Sequence, residues 1–309
     1  SKSAKTIPAA IEFVDIAGLV KGASAGEGLG NKFLANIREV DAILEMVRIF
    51  EDSNVIHVDG KIDPLSDIEV INLELMMADL ETVTKRRGNM ERDVKRGDKN
   101  AVLEKAVLDK IAVALEAGKL AQSAALDEKE NEIVQSLHLL TMKPILYALN
   151  KKSGAKNLDE TKDERWERLV QFLESSRAQY VVFDAKVEDE LKEFVGEEKE
   201  TFRKELGAQD GDGIDALISA SYKLLGLITY FTTGEDESRA WTIIKGWTAP
   251  EAGTAIHTDF KDKFIRAEVI WWQDLLALGS YAGAREKGLL RTEGKEYVVK
   301  DGDVIEFRI

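Results

Sequence analysis

The feature that most constrains this chain is a short apolar run, Ile11-Glu12-Phe13-Val14, that ends in Asp15-Ile16-Ala17-Gly18 and opens into glycine-rich backbone. Five of the 23 glycines fall between residues 18 and 30, at Gly18, Gly22, Gly26, Gly28 and Gly30. The run reads as a strand over residues 11–16. A carboxylate at a strand end can hold a Mg²⁺ ion, usually through water. A glycine amide three residues on can point at a terminal phosphate, because no Cβ blocks the approach. Asp-x-x-Gly alone recurs by chance; the extension from Gly22 to Leu34 is far more specific.

The rest of the chain supplies a frame for such a site. Residues 31–40 predict a helix with Phe33, Leu34, Ile37 and Val40 on one stripe, and Ile43 to Phe50 predicts a second strand. Strand, loop, helix and strand in that order imply a parallel sheet with crossover helices, hence an α/β fold. From Ser66 to about Leu140 the period changes. Ile68, Ile71, Leu75, Met76 and Leu80 recur three or four apart, residues 100–117 behave likewise, and Gly88 and Gly97 mark breaks, so a helical hairpin is expected. Pro144 to Leu149 returns to a buried strand. A helix over 166–177, a strand over 180–183 and helices over 187–206 and 212–226 follow. Beyond Gly226 the pattern is mixed, with an Asp301-Gly302 turn between two strand-like runs, Val298 to Lys300 and Asp303 to Phe307. The expected domains are 1–65 with 141–225 around the sheet, 66–140 as the helical insert, and 226–309.

Composition narrows the chemistry. The 309 residues suit two or three domains. With no cysteine, disulfides and thiolate metal sites are excluded, which suits a reducing, cytoplasmic setting. No apolar run of 18 residues is present, so no membrane span is expected. The net charge of −14 argues against a general polyanion binder. Residues 85–110 nevertheless hold nine Lys/Arg against five Asp/Glu, while 157–215 hold nine against 18. The three histidines lie far apart, without zinc-ligand spacing. No Gly-x-Ser-x-Gly or cysteine nucleophile supports a hydrolase triad.

Several separated blocks resemble the YchF/Obg-like ATPases, a P-loop NTPase branch of the translation-factor class. They are Phe13-Val14-Asp15-Ile16-Ala17-Gly18-Leu19-Val20, Gly28 to Arg38, Val55 to Val58, Lys61 to Pro64, Arg239 to Thr242, Ala249-Pro250, Ile256 to Phe260, Phe264 to Val269 and Tyr297 to Phe307. The resemblance implies a P-loop NTPase sheet, an inserted helical domain and a C-terminal TGS module of the β-grasp type. It also implies ATP as substrate, Mg²⁺ as cofactor and the ribosome, through its RNA or protein, as partner. No Gly-x-x-x-x-Gly-Lys-Ser/Thr loop occurs in these residues. The expectation is that this loop precedes Ser1 in the natural protein, and that the chain as written hydrolyses nucleotide poorly.

On this resemblance Asp15 contacts Mg²⁺ through water and Gly18 contacts the γ-phosphate. Leu19 stands where Ras-type GTPases carry the glutamine that orients water; it can neither donate nor accept a hydrogen bond, so slow basal hydrolysis is expected. Asn150-Lys151-Lys152-Ser153 stands where the base is read. Ser153 replaces the Asp of GTPases and the Glu usual in the family. A hydroxyl cannot supply the carboxylate that discriminates guanine, and Asn150 can pair with adenine, so ATP is favoured over GTP. Lys151 keeps a GTPase-like character. Phe50 is either an aromatic beside the adenine or a core residue, and Ala185-Lys186 lie where a second base loop belongs. Glu45 departs from the histidine that many relatives carry there. Lys85, Arg86, Arg87, Arg92, Lys95, Arg96 and Lys99 cluster around a helical turn, as an RNA-binding patch or as a solvated hairpin tip. Two other readings remain open: a GTPase, and a nucleotide-independent binding module.

Overall fold

The structure is a computed structural model that describes residues 3–16, 29–54, 61–194, 196–205 and 213–309. Two compact units make it up, one of Val14–Leu224 and one of Ser1–Phe13 with Leu225–Ile309. The strand expected over 11–16 does not form. Residues 8–16 adopt neither helix nor strand, and Phe13 and Val14 are 45% and 56% exposed. A strand needs a neighbour for its N–H and C=O groups, and no described segment pairs with this one. Instead β1 (Lys5–Ile7) pairs in parallel with Glu237–Arg239. Residues 5–7, expected in the nucleotide-binding domain, thus lie on the sheet of the C-terminal unit, where they cover an otherwise open edge.

The Val14–Leu224 unit is built on a three-stranded parallel sheet. After α1 (Leu29–Glu39) comes β2 (Ile43–Arg48), then a short β3 (Phe50–Glu51). Helix α2 (Pro64–Lys95) and helix α3 (Lys99–Glu116) follow, then α4 (Glu128–Gln135). The chain returns as β4 (Ile145–Asn150) and β5 (Lys156–Asn157), α5 (Leu158–Thr161) and α6 (Glu164–Ser175). The unit closes with β6 (Gln179–Phe183), α7 (Ala185–Leu191), α8 (Gly196–Glu205) and α9 (Ile214–Leu224). The sheet order is β2-β4-β6, and β3 pairs with β5 separately. Ile145 to Leu149 are all buried, as befits a central parallel strand covered on both faces. One face packs on Ile68 of α2 and on Leu169 and Leu173 of α6, the other on Leu217 of α9.

Helix α2 runs unbroken for 32 residues. Pro64 opens it where its missing N–H costs nothing, and the Asp63 carboxylate accepts from the Ser66 amide at 3.3 Å. Its first turns cover the sheet; beyond Leu80 it pairs with α3, burying Val83 and Met90 against Ala101, Leu108 and Ile111. Gly97, at φ +81°, makes the hairpin turn. Gly88, expected as a break, lies inside the helix. A glycine there costs about 1 kcal/mol, which the burial on either side of it outweighs. The return segment is pinned by Asp79 of α2, whose buried carboxylate accepts from the Leu140 amide (2.8 Å), the Thr141 amide (2.7 Å) and the Thr141 hydroxyl (2.6 Å).

The C-terminal unit holds a six-stranded mixed sheet, ordered β1-β8-β7-β11-β9-β10. Its strands are β7 (Leu227–Thr233), β8 (Glu237–Ile244), β9 (Arg266–Trp271), β10 (Arg291–Glu293) and β11 (Asp303–Arg308). Its helices are α10 (Ala249–Gly253), α11 (Asp259–Lys263), α12 (Trp272–Leu278) and α13 (Tyr281–Glu286). Strands β11 and β7 run parallel. Phe307 meets Tyr230, Phe260 and Phe264 edge-on, and the buried Tyr230 hydroxyl donates to the Ala252 carbonyl at 3.0 Å. The Asp301-Gly302 turn forms as expected, but of the run before it only Val298 makes a bridge, to Thr248. Gly302 has φ +87°, and a Cβ there would come within 2.5 Å of the Trp271 ring and 2.7 Å of Trp272. Gly302→Ala is therefore expected to destabilise the chain by about 2–4 kcal/mol, combining left-handed strain and overpacking. Urea unfolding of the two proteins checks this; coincident curves would refute it.

Candidate nucleotide-binding site

Arg48, Asn150 and Phe183 stand opposite one another in register, at the carboxyl ends of β2, β4 and β6. Ligands of parallel α/β sheets bind in the crevice outside such ends. The two loops expected to flank the base meet here. Asn150 Oδ1 accepts from the Ala185 amide at 3.0 Å, and the Lys151 amide donates to the Phe183 carbonyl at 2.9 Å. Asp184 makes the second tie. Its Oδ1 accepts from the Lys186 and Val187 amides (3.0 and 3.1 Å), capping α7, and its Oδ2 accepts from the Ser153 amide at 2.6 Å. The 151–157 loop is also folded around Asn157. That side chain accepts from the Lys152 amide (3.0 Å) and donates to the carbonyls of Lys152 (3.1 Å) and Ala155 (3.2 Å).

Sequence reasoning placed Asn150, Lys151, Ala185 and Lys186 at this site, and the structure brings them together. It did not single out Asp184. The available signal was an Asp immediately before a helical start, the N-cap pattern; its bond to Ser153 is tertiary and leaves no local trace. Phe50 is buried in β3, and the Arg48 guanidinium lies 4.5 Å from its ring centroid. Arg48 also donates to the carbonyls of Phe50 (3.0 Å) and Asp52 (3.1 Å), and Lys152 pairs with the Asp52 carboxylate. Phe50 thus forms the packed base of the loop wall under Arg48. The Lys186 ammonium is exposed and lies 3.4 Å from Glu190. Asp159 is half-buried with an enclosed Oδ1; burial pushes its carboxyl up, against the pull of Lys151.

Asp15 is exposed, within the irregular residues 8–16. Gly18 and Leu19 lie outside the described residues, as do Gly22, Gly26, Gly28, His57 and residues 206–212 of the expected helices. Among the described residues no group of three His, Asp or Glu could hold a metal by itself. Asp15 presents an exposed carboxylate, the kind of group that the expected water-bridged contact needs.

Around the hairpin turn, four of the seven cations are partnered. Arg86 donates to both oxygens of Glu104 (2.6 and 2.9 Å), and Arg87 lies 2.7 Å from Asp109. Lys95, and Arg96 just past the end of α2, are each 3.7 Å from an acid of that helix. Lys85, Arg92 and Lys99 have no ion pair among the described residues. Lys85 and Arg86, with Arg38 from α1, Thr82 and Asn89, line an open cleft of about 450 Å³ beside the hairpin.

The whole chain is similar to proteins of one family. A Bacillus subtilis protein described as "Ribosome-binding ATPase YchF" is 53% identical over 304 residues, 98% of this chain and 82% of that protein. The chain belongs to the YchF family. An Escherichia coli O157:H7 YchF of the same description is 46% identical over 99% of this chain and 83% of its own length. The solved Schizosaccharomyces pombe YchF GTPase covers 99% of this chain with a TM-score of 0.85 at 36% identity, the chain matching 82% of that structure. Residues 227–309 match the YchF-GTPase_C model, described as a protein of unknown function (DUF933). The mixed α/β fold with its parallel sheet is thus a YchF fold, and the Asn150–Asp184 clip lies at the sheet end of a YchF chain.

Proposed function

We propose that this chain is a nucleotide-dependent switch that hydrolyses ATP, in preference to GTP, while associated with the ribosome. The observation that carries this is the pair of loops tied by Asn150 and Asp184 at the carboxyl end of the parallel sheet, in a chain whose relatives are described as ribosome-binding ATPases. Asn150, Lys151, Ala185 and Lys186 form the base side, with Phe50 packed behind it. Asn150 Oδ1 spends one lone pair on Ala185; its second lone pair and its amide hydrogens suit adenine. No carboxylate stands at Ser153 for the guanine N1 and N2 hydrogens. Asp15 would hold Mg²⁺ through water, which supplies charge neutralisation at the phosphates. Gly18 would contact the γ-phosphate, and the apolar Leu19 would give the attacking water no side-chain partner. The GTPase description of the fission-yeast relative favours GTP as the second reading.

Calorimetry with Mg²⁺ and either ATP or GTP tests this. It is run on this chain and on a version extended N-terminally with the corresponding segment of the Bacillus subtilis relative. The extended version is expected to bind ATP at least about tenfold more tightly than GTP, some 1.4 kcal/mol, and Ser153→Asp to shift that ratio toward GTP. Binding by neither version would leave a nucleotide-independent module instead.

The ribosome-facing surfaces in this proposal are the hairpin turn and the C-terminal unit, taken as a TGS module, in the cytoplasm. Four of the seven cations are paired with acids, two of them across the hairpin, so RNA contact falls to Lys85, Arg92 and Lys99. The Lys85→Glu, Arg92→Glu double variant is expected to weaken ribosome co-sedimentation and to lower the salt slope by about two. Arg87→Ala should leave that slope nearly unchanged. Equal effects from the two variants would overturn the division.

A further inference from the structure

On the face of the sheet covered by α2, the core contains a polar cluster that the nucleotide site does not use. Residues 43, 45 and 47 of β2 share one face by strand alternation, and Val47 packs there with Ile68 of α2. Glu45 therefore enters the seam between sheet and helix. Opposite it in register stands the buried Tyr147 of β4. From α2, the buried Asn72 hydrogen-bonds to Tyr147, and Asp67 brings a second carboxylate to bear on Glu45. Although Glu45 as a whole is only half-buried, its Oε2 is enclosed and has no hydrogen-bond partner among the described residues. The same is true of Asn72 Oδ1.

Both orphaned atoms are acceptors, and enclosing either without a donor is costly. A hydrogen on Glu45, if aimed at Asn72 Oδ1, would satisfy both. We propose that Glu45 is a neutral carboxylic acid near neutral pH, that it donates to Asn72 Oδ1, and that this bond is a proton-controlled tie between β2 and α2. Among the described residues, the titratable groups acting on Glu45 are Asp67 from α2 and Tyr147 from β4. Neither offers a positive charge that would favour the carboxylate. Burial first, then Asp67, pushes the Glu45 carboxyl up to about 8. Burial first, then Glu45, holds the Tyr147 phenol at about 12, so Tyr147 stays neutral throughout.

Because the folded-state value lies above the ordinary glutamate value of 4.5, the contribution to stability is full below that ordinary value. It is lost as pH rises through about 8. Urea unfolding between pH 5 and 9 tests this. The chain is expected to lose on the order of a few hundredfold in its folding equilibrium relative to Glu45→Gln. The glutamine amide can donate to Asn72 at every pH. Infrared spectra of the unaltered chain should show a protonated-carboxyl C=O band at pH 7 that vanishes above pH 9. Hydrogen exchange over residues 68–76 of α2 should accelerate across the same window in the unaltered chain, beyond the intrinsic base catalysis seen in Glu45→Gln. Parallel pH profiles for the two proteins, with no such band, would overturn the proposal. So would stabilisation by added K⁺ or Mg²⁺ that Glu45→Gln abolishes, since the two oxygens would then hold a cation and not a proton.

Discussion

Asp79→Ala is expected to cost about 3–5 kcal/mol of folding free energy, roughly a hundredfold to several-thousandfold change in the folding equilibrium. The carboxylate is fully enclosed and takes three hydrogen bonds from two consecutive residues, Leu140 and Thr141. Burial pushes its pKa up, and those donors together with Arg38 oppose the shift. Alanine would leave two buried backbone N–H groups and one hydroxyl without acceptors, at about 1–3 kcal/mol each before relaxation. It would also free the segment that returns the chain from the hairpin to β4. Asp79→Asn keeps one acceptor oxygen and should cost less. The check is urea unfolding of all three proteins near neutral pH. A midpoint for Asp79→Ala within about 0.5 kcal/mol of the parent would show that water replaces the carboxylate without loss.

Asp184→Ala is expected to lower nucleotide affinity about 10–100-fold on the N-terminally extended chain, with a smaller loss of stability. Helix α7 loses its N-cap, worth about 1 kcal/mol. The larger effect falls on the loops, because the Ser153 amide no longer meets the first turn of α7. Whatever order that contact imposes before binding must then be supplied by the ligand. Asn150→Ala should lower affinity as well, since it removes the other tie, to Ala185. Calorimetric affinities for the two variants decide the matter. An Asp184→Ala chain that binds as tightly as its parent would make the clip a feature of folding alone.

The sequence made the sheet and hairpin legible where periodicity is a local property. Ile145 to Leu149 announce a buried strand with no polar residue, and the apolar spacing of α2 and α3 marks two helices that pack together. Asn150 was legible because it ends such a strand. The strand over 11–16 was not, because an extended segment becomes a strand only through a partner, which its own residues cannot reveal. The basic cluster was visible as seven cations, but the acids that neutralise Arg86 and Arg87 lie on α3, about 20 residues away. Only the hairpin crossing brings them together. Asp184 and Glu45 illustrate the same limit: one is bound to an amide 31 residues earlier, the other derives its character from α2. Gly88 shows the converse, where a weak local preference yields to packing on both sides.

The unbroken course of α2 has a mechanical consequence. At 1.5 Å per residue its 32 residues span roughly 48 Å, and its first turns rest on the sheet that carries Asn150. A rod of that length with no hinge along it behaves as a lever. A tilt of about 5° where it seats on β2 would carry its far end through about 4 Å, roughly three-quarters of one helical turn. Displacements too small to notice among the strands would thus arrive at Lys85 and Arg92 as a change of reach.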